Sequence, residues 1–347
     1  MLVVLASCAL YAPSLGNDFT WDDRAAAMGV QGELRHPLVV ELRPLDEYLT
    51  NGWWPHHAPA ARAWRPLTTF GFALRYAICG DEPHAEHALN ILLHGLGAAL
   101  CLLLLRALGA SARSAALGAL VFGLHAIHSE SVISIVGRAE LLALGCGLGA
   151  TLLLTRALAK GRWYLSGIAG VLLLSAAKAK ESGLAWCLCA PLLALLAHAR
   201  TGALPPRRAL ATVVAPALVA ASIYLWLYAR FLASLPSGSD PAFGRLENPL
   251  LGCEPAMRAL SGMLAWGYGA LLTAMPFHLS ADYGAAQLVI VRSWTDTWAA
   301  AAVLTGAVLV VGFGWLAWQW RARPLLSAGS LLFVAFSLPL ANIAAPV

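Results

Sequence analysis

Long apolar runs dominate the pattern of hydrophobic and polar positions along the chain. Stretches such as LLHGLGAALCLLLLRALG and TWAAAAVLTGAVLVVGFGWLAW have no polar face that recurs every 3.6 residues. Runs of about 20 apolar residues match the hydrocarbon core of a bilayer. After a short first run that ends near Leu15, the pattern predicts helices at about residues 88–108, 114–130, 131–156, 162–178, 182–199, 210–230, 295–319 and 325–345. We therefore predict an all-α, polytopic helical membrane protein with about nine or ten transmembrane helices.

The composition agrees with this class of protein. The 347 residues are 59% hydrophobic and 12% charged, with a mean hydropathy of +0.69. A typical soluble domain carries about 25% charged residues. The net charge of +5 does not indicate a nucleic-acid partner, because the distribution of the basic residues matters more than their sum.

Charge is divided between two faces. Ten of the 23 basic residues lie in four short connections without an acid, which by the positive-inside rule face the cytosol: Arg106 and Arg113; Arg156, Lys160 and Arg162; Arg200, Arg207 and Arg208; Arg321 and Arg323. Ten of the 18 acids lie between Asp18 and Glu86. We therefore predict a long exterior first loop over residues 16–86, rich in aromatic residues and holding interfacial helices. A second exterior or re-entrant region is expected over 231–294, in which 257–280 is re-entrant or interfacial.

An acidic pair follows the first apolar run, in the stretch FTWDDRAAA. Asp22 and Asp23 are of the right type for a general base, a metal ligand or a group that orients an acceptor. The alternative is that they cap a loop or a helix start and are solvated. Adjacency alone leaves both readings open.

Polar side chains recur near the ends of three later runs. His87, Asn90 and His94 share one helical stripe, which suits either a site or hydrogen bonds between membrane helices. Arg138 is suited to hold a phosphate through two parallel bonds, with a structural pair to an acid as the alternative. The same segment holds His125, His128, Glu130 and Glu140, without the HExxH motif or cysteine pair of many zinc sites, so no metal is predicted.

The stretch KAKES places Lys178 and Lys180 beside Glu181 on the predicted exterior side. Lysines there depart from the positive-inside trend, so we expect an anion to balance them, either a protein carboxylate or a lipid phosphate. Acids and cations thus gather on one face, which suits an enzyme with a lipid-phosphate donor. A transporter would need polar groups on the cytosolic half as well, and that half is apolar.

The order of these motifs resembles the TMTC family, the transmembrane and tetratricopeptide-repeat O-mannosyltransferases, which are membrane glycosyltransferases of the GT-C type. The motifs that carry the resemblance cover about residues 15 to 345: FTWDD, WRPLTTF at 64–70, HALNILLH at 87–94, VFGLHAIHSESVISIVGRAELLA at 121–143, KES at 180–182 and LPSGSDPAFGRLENP at 235–249.

The resemblance implies one GT-C-like transmembrane domain over residues 1–347. It implies inverting transfer of mannose from dolichyl-phosphate-mannose to Ser or Thr of a secretory protein, at the luminal face of the endoplasmic reticulum membrane and without a cofactor. Asp22 is then the general base and Asp23 orients acceptor or donor. Arg138, Lys178 and Lys180 bind the donor phosphate. The supporting polar residues are Arg65, His87, Asn90, His128, Glu130, Glu140 and Glu181.

The chain also departs from that family. Its tetratricopeptide repeats are absent, and ADYG at 281–284 replaces an expected Asp-Trp-Ser pattern. A bacterial relative would instead use a polyprenyl-phosphate sugar and a periplasmic acceptor at the plasma membrane. The alternative from another class is a non-catalytic membrane scaffold or lipid-binding protein with the same fold.

Overall fold

The structure is a computed structural model that describes residues 1–27, 36–54, 63–200, 207–235, 250, 253–280, 289–319 and 322–338, with only the backbone at 208–209. Within these ranges the chain forms fifteen α-helices and no strand. The helices are α1 Leu2–Tyr11, α2 Asp22–Ala26, α3 Pro37–Val40, α4 Leu45–Thr50, α5 Pro66–Cys79, α6 Pro83–Ala107, α7 Ala112–Leu124, α8 Ser129–Ile133, α9 Arg138–Lys160, α10 Trp163–Ala179, α11 Trp186–Ala199, α12 Arg207–Ser234, α13 Pro255–Ala274, α14 Thr297–Trp318 and α15 Pro324–Ser337.

Among the residues that the structure describes, five helical segments have the length and composition of a membrane span: Pro83–Ala107, Ile135–Lys160, Glu181–Ala199, Leu210–Ser234 and Thr297–Trp318. The segments Ala112–Leu124 and Ala126–Ile133 make a sixth if they are counted as one span bent by 46°. Three apolar helices are shorter: Leu2–Gly16, Trp163–Ala179 and Pro324–Ser337. The all-α, polytopic membrane fold is confirmed, and the number of nine or ten crossings stays a prediction.

Most helix ends follow local chemistry. Proline occupies the first position of α5, α6, α13 and α15, where its missing N–H costs no hydrogen bond. Ser111 and Asp296 cap α7 and α14 through their side-chain oxygens, and Gly161 ends α9 in the left-handed conformation. The run predicted at 114–130 is interrupted because His125 takes an extended backbone, and its Nδ1 accepts the amide of Ile127 at 3.2 Å.

The chain divides into two compact units, residues 1–242 and 243–347. In the first unit α9 packs against α6, α10 and α11, while α10 also packs against α12. Small residues allow these contacts. A Cβ atom built on Gly147 of α9 would lie 2.1 Å from the Trp186 ring of α11, so the missing side chain sets the spacing of the two helices.

In its described part, the predicted exterior loop contains four α-helices, α2 to α5, and a core of its own. Phe19, Val39, Trp53 and Phe72 are buried together with Ile135, which lies between α8 and α9. This cluster attaches the loop to the helix bundle at the turn between α8 and α9. Short helices are present in this segment, and the exterior loop with interfacial helices stays a prediction.

In the second unit α13 packs against α14, and α14 packs against α15. The indole N–H of Trp266 donates to the Ser337 hydroxyl at 2.7 Å, and the rings of Phe313 and Phe333 stack 4.7 Å apart. One 20-residue helix, α13, covers most of the segment 257–280. The re-entrant or interfacial placement of this segment stays a prediction. The ADYG stretch and all but the first residue of LPSGSDPAFGRLENP lie outside the described residues.

A glycine substitution tests the contact between α9 and α11. Gly147→Ala should lower the midpoint of thermal unfolding in detergent, because the new methyl group meets the Trp186 ring. Gly145→Ala is the matched control, since its Cβ would have nothing within 4 Å. The control should leave the midpoint unchanged or raise it slightly, as alanine favours helix. Equal midpoints for the two variants would show that the helices are not in contact at Gly147.

Candidate functional site

The two aspartates of the sequence pair point to different environments. Both lie in the first turn of the five-residue helix α2, where neighbouring side chains are about 100° apart around the axis. Asp22 is exposed, whereas only 1% of Asp23 is exposed. The pair therefore consists of one surface carboxylate and one carboxylate inside the protein.

Four donors surround the buried carboxylate. Oδ2 of Asp23 accepts the backbone amide of Thr20 at 3.2 Å and its hydroxyl at 3.3 Å. Oδ1 accepts the Ser134 hydroxyl at 3.3 Å and the Val136 amide at 3.0 Å. Asp23 thus ties the start of α2 to the turn between α8 and α9, more than 100 residues later in the chain. These contacts give Asp23 a positioning role, which the sequence pair alone did not distinguish from contact with a substrate.

The same turn is held by Asn90, two turns from the start of α6. Its side-chain amide donates to the carbonyl of Ser134 at 2.9 Å, and its oxygen accepts the Nε of Arg138 at 3.0 Å. Arg138 also donates from Nη2 to the Glu86 carbonyl at 2.9 Å. A continuous series of polar contacts therefore runs from Asp23 through the turn and Asn90 to Arg138.

Glu86 lies at the centre of this network. Its buried carboxylate forms ion pairs with both Arg75 of α5 and Arg138 of α9. The Arg138 guanidinium also lies 4.8 Å above the centre of the Phe72 ring, and the charge of Asp23 is within electrostatic range of it. Two cations and two anions are thus brought together near the starts of α6 and α9.

These contacts bear on the role predicted for Arg138. Two of its three nitrogens are engaged by Glu86 and Asn90, and 1% of the residue is exposed. The described contacts therefore match the alternative of a structural pair with an acid, and the acid is Glu86. Binding of the donor phosphate by Arg138 stays a prediction.

Two more ion pairs lie at the end of α10, and one of them, between Arg65 and Glu181, joins the predicted exterior loop to the bundle. Lys180 pairs with Glu140, and Arg65 pairs with Glu181 at 3.2 Å. Glu181 also accepts the Trp64 amide at 2.9 Å, so it fixes the start of α5 beside the end of α10. All four charged side chains are partly exposed. The anion expected beside Lys180 is thus a protein carboxylate.

Lys178 has a different environment. It borders a cavity of about 190 Å³ between α4, α5 and α10. Within the ranges that the structure describes, its ammonium group makes no hydrogen bond or ion pair. The other side chains that line the cavity are mostly apolar: Leu45, Tyr48, Leu49, Pro66, Leu67, Phe70 and Ser175. The cavity therefore combines an apolar wall with one unpaired cation.

The histidines pack among rings. Nε2 of His94 donates to the Gly123 carbonyl at 2.9 Å. The centre of the His128 ring lies 5.4 Å from that of His94 and 4.6 Å from that of Phe122. His87 is buried near the backbone of Asp18 and Ile133, and neither of its ring nitrogens has a hydrogen bond of normal geometry to a described residue. Glu130 is exposed in the first turn of α8. In the described part of the chain no group of three or more His, Cys, Asp or Glu has the arrangement of a metal site.

Comparisons with known proteins bear on the resemblance. Protein O-mannosyl-transferase Tmtc1 of Drosophila melanogaster is 31% identical over 191 residues, which is 53% of this chain and 22% of the relative. Tmtc2 of the same species is 29% identical over 320 residues, 88% of this chain and 32% of the relative. Protein O-mannosyl-transferase F38B6.6 of Caenorhabditis elegans is 26% identical over 356 aligned positions, 99% of this chain and 47% of the relative.

The resemblance to the TMTC O-mannosyltransferases is confirmed. The relatives carry the name of a glycosyltransferase activity, and the chain spans less than half the length of each. No protein-family model and no solved structure matches the chain. The roles of the site residues in this chain therefore rest on the geometry described above.

Sequence reasoning missed three residues of the network: Arg75, Glu86 and Ser134. A signal was present for two of them, because Arg75 and Glu86 are ionisable residues within apolar helices, where an unpaired charge is costly. The serine gave no such signal. Its role depends on a contact with Asp23 across 111 residues of chain.

Removing the central charge tests the network. Glu86→Gln leaves two buried guanidinium groups without their shared anion and should lower the free energy of unfolding by about 3–5 kcal/mol. Glu82→Gln is the control, as Glu82 is exposed one turn away. Thermal or denaturant unfolding in detergent measures both variants. Equal stability of the two would contradict a central role for Glu86.

Proposed function

We propose that the chain transfers mannose from dolichyl-phosphate-mannose to Ser or Thr of secretory-pathway proteins, with Asp22 as the general base. The observation that carries the proposal is the exposed carboxylate of Asp22 on a turn that the buried Asp23 holds in place. The relatives named as protein O-mannosyl-transferases support the transfer of mannose to proteins. The donor lipid follows from the resemblance to the same family.

The proposed reaction needs one base and one anion site. Asp22 removes the proton from the acceptor hydroxyl while that oxygen forms a bond to the anomeric carbon of mannose. The bond between this carbon and the phosphate oxygen breaks, and dolichyl phosphate leaves with the electron pair. Attack from the face opposite the leaving group inverts the configuration, and no cofactor takes part.

Lys178 is the best candidate for the phosphate among the cations first proposed. Arg138 and Lys180 already have carboxylate partners, whereas Lys178 borders an apolar cavity and has no anionic partner among the described residues. A lipid-linked phosphate combines a negative charge with a hydrocarbon chain, so both parts of the cavity suit it. The proposed place of reaction is the luminal face of the endoplasmic reticulum membrane, from which a secretory acceptor is reached.

Asp22→Asn tests the base. With the purified full chain in lipid nanodiscs, dolichyl-phosphate-mannose with a labelled sugar, and a Ser/Thr-rich peptide, the rate of transfer should fall by about 10²- to 10⁴-fold. Asp46→Asn is the matched control, because Asp46 is also an exposed acid in the first turn of a short helix. Its rate should equal that of the wild type. Full transfer by the Asp22 variant would refute the proposal.

Lys178→Gln tests the phosphate site. The change removes the positive charge with little loss of volume, so the KM for the donor should rise by about tenfold, as expected for about 1.4 kcal/mol of lost binding. The KM for the peptide should stay the same. Lys160→Gln, at the exposed end of α9, is the control. A donor KM equal to that of the wild type would assign the phosphate to another group.

A further inference from the structure

Trp21 has an unusual backbone conformation for a bulky residue. Its φ of 45° and ψ of −121° make it the one residue other than glycine with positive φ in the described part of the chain. The carbonyl of Thr20 accepts the amide of Asp23 at 2.9 Å, so residues 20–23 form a β-turn. Trp21 occupies the position of a type II′ turn at which glycine is normal. A side chain here strains the backbone.

The strain is maintained by buried neighbours on both sides. Phe19 is 2% exposed in the core of the exterior loop, and Asp23 is 1% exposed with its four donors. Between these two fixed points the indole of Trp21 is 84% exposed. It makes no ring contact or side-chain hydrogen bond to any residue that the structure describes. The turn therefore presents a large aromatic surface at the residue that precedes Asp22.

Two uses explain an exposed tryptophan on this face. One is an anchor in the lipid headgroup layer, which tryptophan favours. The other is contact with the molecule on which Asp22 acts. An anchor tolerates many orientations and gains nothing from a strained turn, whereas a residue that shares a ligand with Asp22 needs one fixed orientation. Strained residues are found where function requires such an orientation. The conformation therefore favours the second use.

We propose that Trp21 binds the acceptor polypeptide and holds its hydroxyl side chain against Asp22, an inference that rests on the proposed function. The indole offers a flat apolar face and one N–H donor, which suit a peptide segment. Its exposure favours the acceptor over the donor, because a secretory polypeptide arrives from the aqueous side. The lipid-linked sugar arrives within the bilayer.

Trp21→Gly is the test, made in the full chain. Glycine takes these backbone angles without strain, so the midpoint of thermal unfolding should stay the same or rise. The KM for the Ser/Thr-rich peptide should rise by about tenfold, with the donor KM unchanged. Trp21→Phe should restore most of the peptide affinity. Trp294→Gly, an exposed loop tryptophan of the second exterior region, is the matched control and should change neither KM.

A binding measurement separates this inference from the proposed function. A fluorescent copy of the peptide is titrated into the Asp22→Asn variant, with and without Trp21→Gly, and its anisotropy gives the affinity. Weaker peptide binding by the variant that also carries Trp21→Gly supports the inference, even if the wild type transfers no mannose. Absence of transfer by the wild type would refute only the proposed function. Unchanged peptide affinity would overturn the inference. A rise in the donor KM alone would overturn it too, as would weaker association with vesicles as the sole effect.

Discussion

The arrangement of the candidate site depends on one buried carboxylate that is shared by two guanidinium groups. Glu86 lies in the first turn of α6, and it pairs with Arg75 of α5 and with Arg138 at the start of α9. Ionised groups are costly to bury, so each of the three needs the others. Their pairing joins α5 to the starts of α6 and α9. Asn90 and Asp23 then extend the same network to α2.

The network explains why two adjacent acids have separate roles. Asp23 faces the interior, and its four donors fix α2 against the turn at residues 134–136. Asp22 is rotated away from that contact and lies at the surface, next to the strained Trp21. The proposed base and an aromatic surface thus lie at neighbouring positions of one turn. A pre-organised site of this kind loses less free energy to ordering when a substrate binds.

More of the fold than of the candidate site could be predicted from the sequence. Apolar runs fix where a membrane helix lies, and the predicted run at 162–178 agrees with α10 within one residue at each end. The predicted start of α6 was five residues late, because polar residues such as His84 and Glu86 hide the helical turn that begins at Pro83. Contacts between residues far apart in the sequence could not be predicted. Arg65 and Glu181 are 116 residues apart, and nothing in either local pattern identifies the other as its partner. For the same reason Arg138 could be recognised as important while its acid could not be named.

The central claim is that the buried Asp23 holds the turn and leaves Asp22 as the base. It is tested most directly by an experimental structure of the full chain in nanodiscs with dolichyl-phosphate-mannose bound. The account predicts the anomeric carbon next to the carboxylate of Asp22, with room for an acceptor hydroxyl between them. The bonds from Asp23 to Ser134 and Val136 should remain as in the structure described here. A donor whose sugar lies away from Asp22, or an Asp23 that leaves this turn to contact the sugar, would contradict the account.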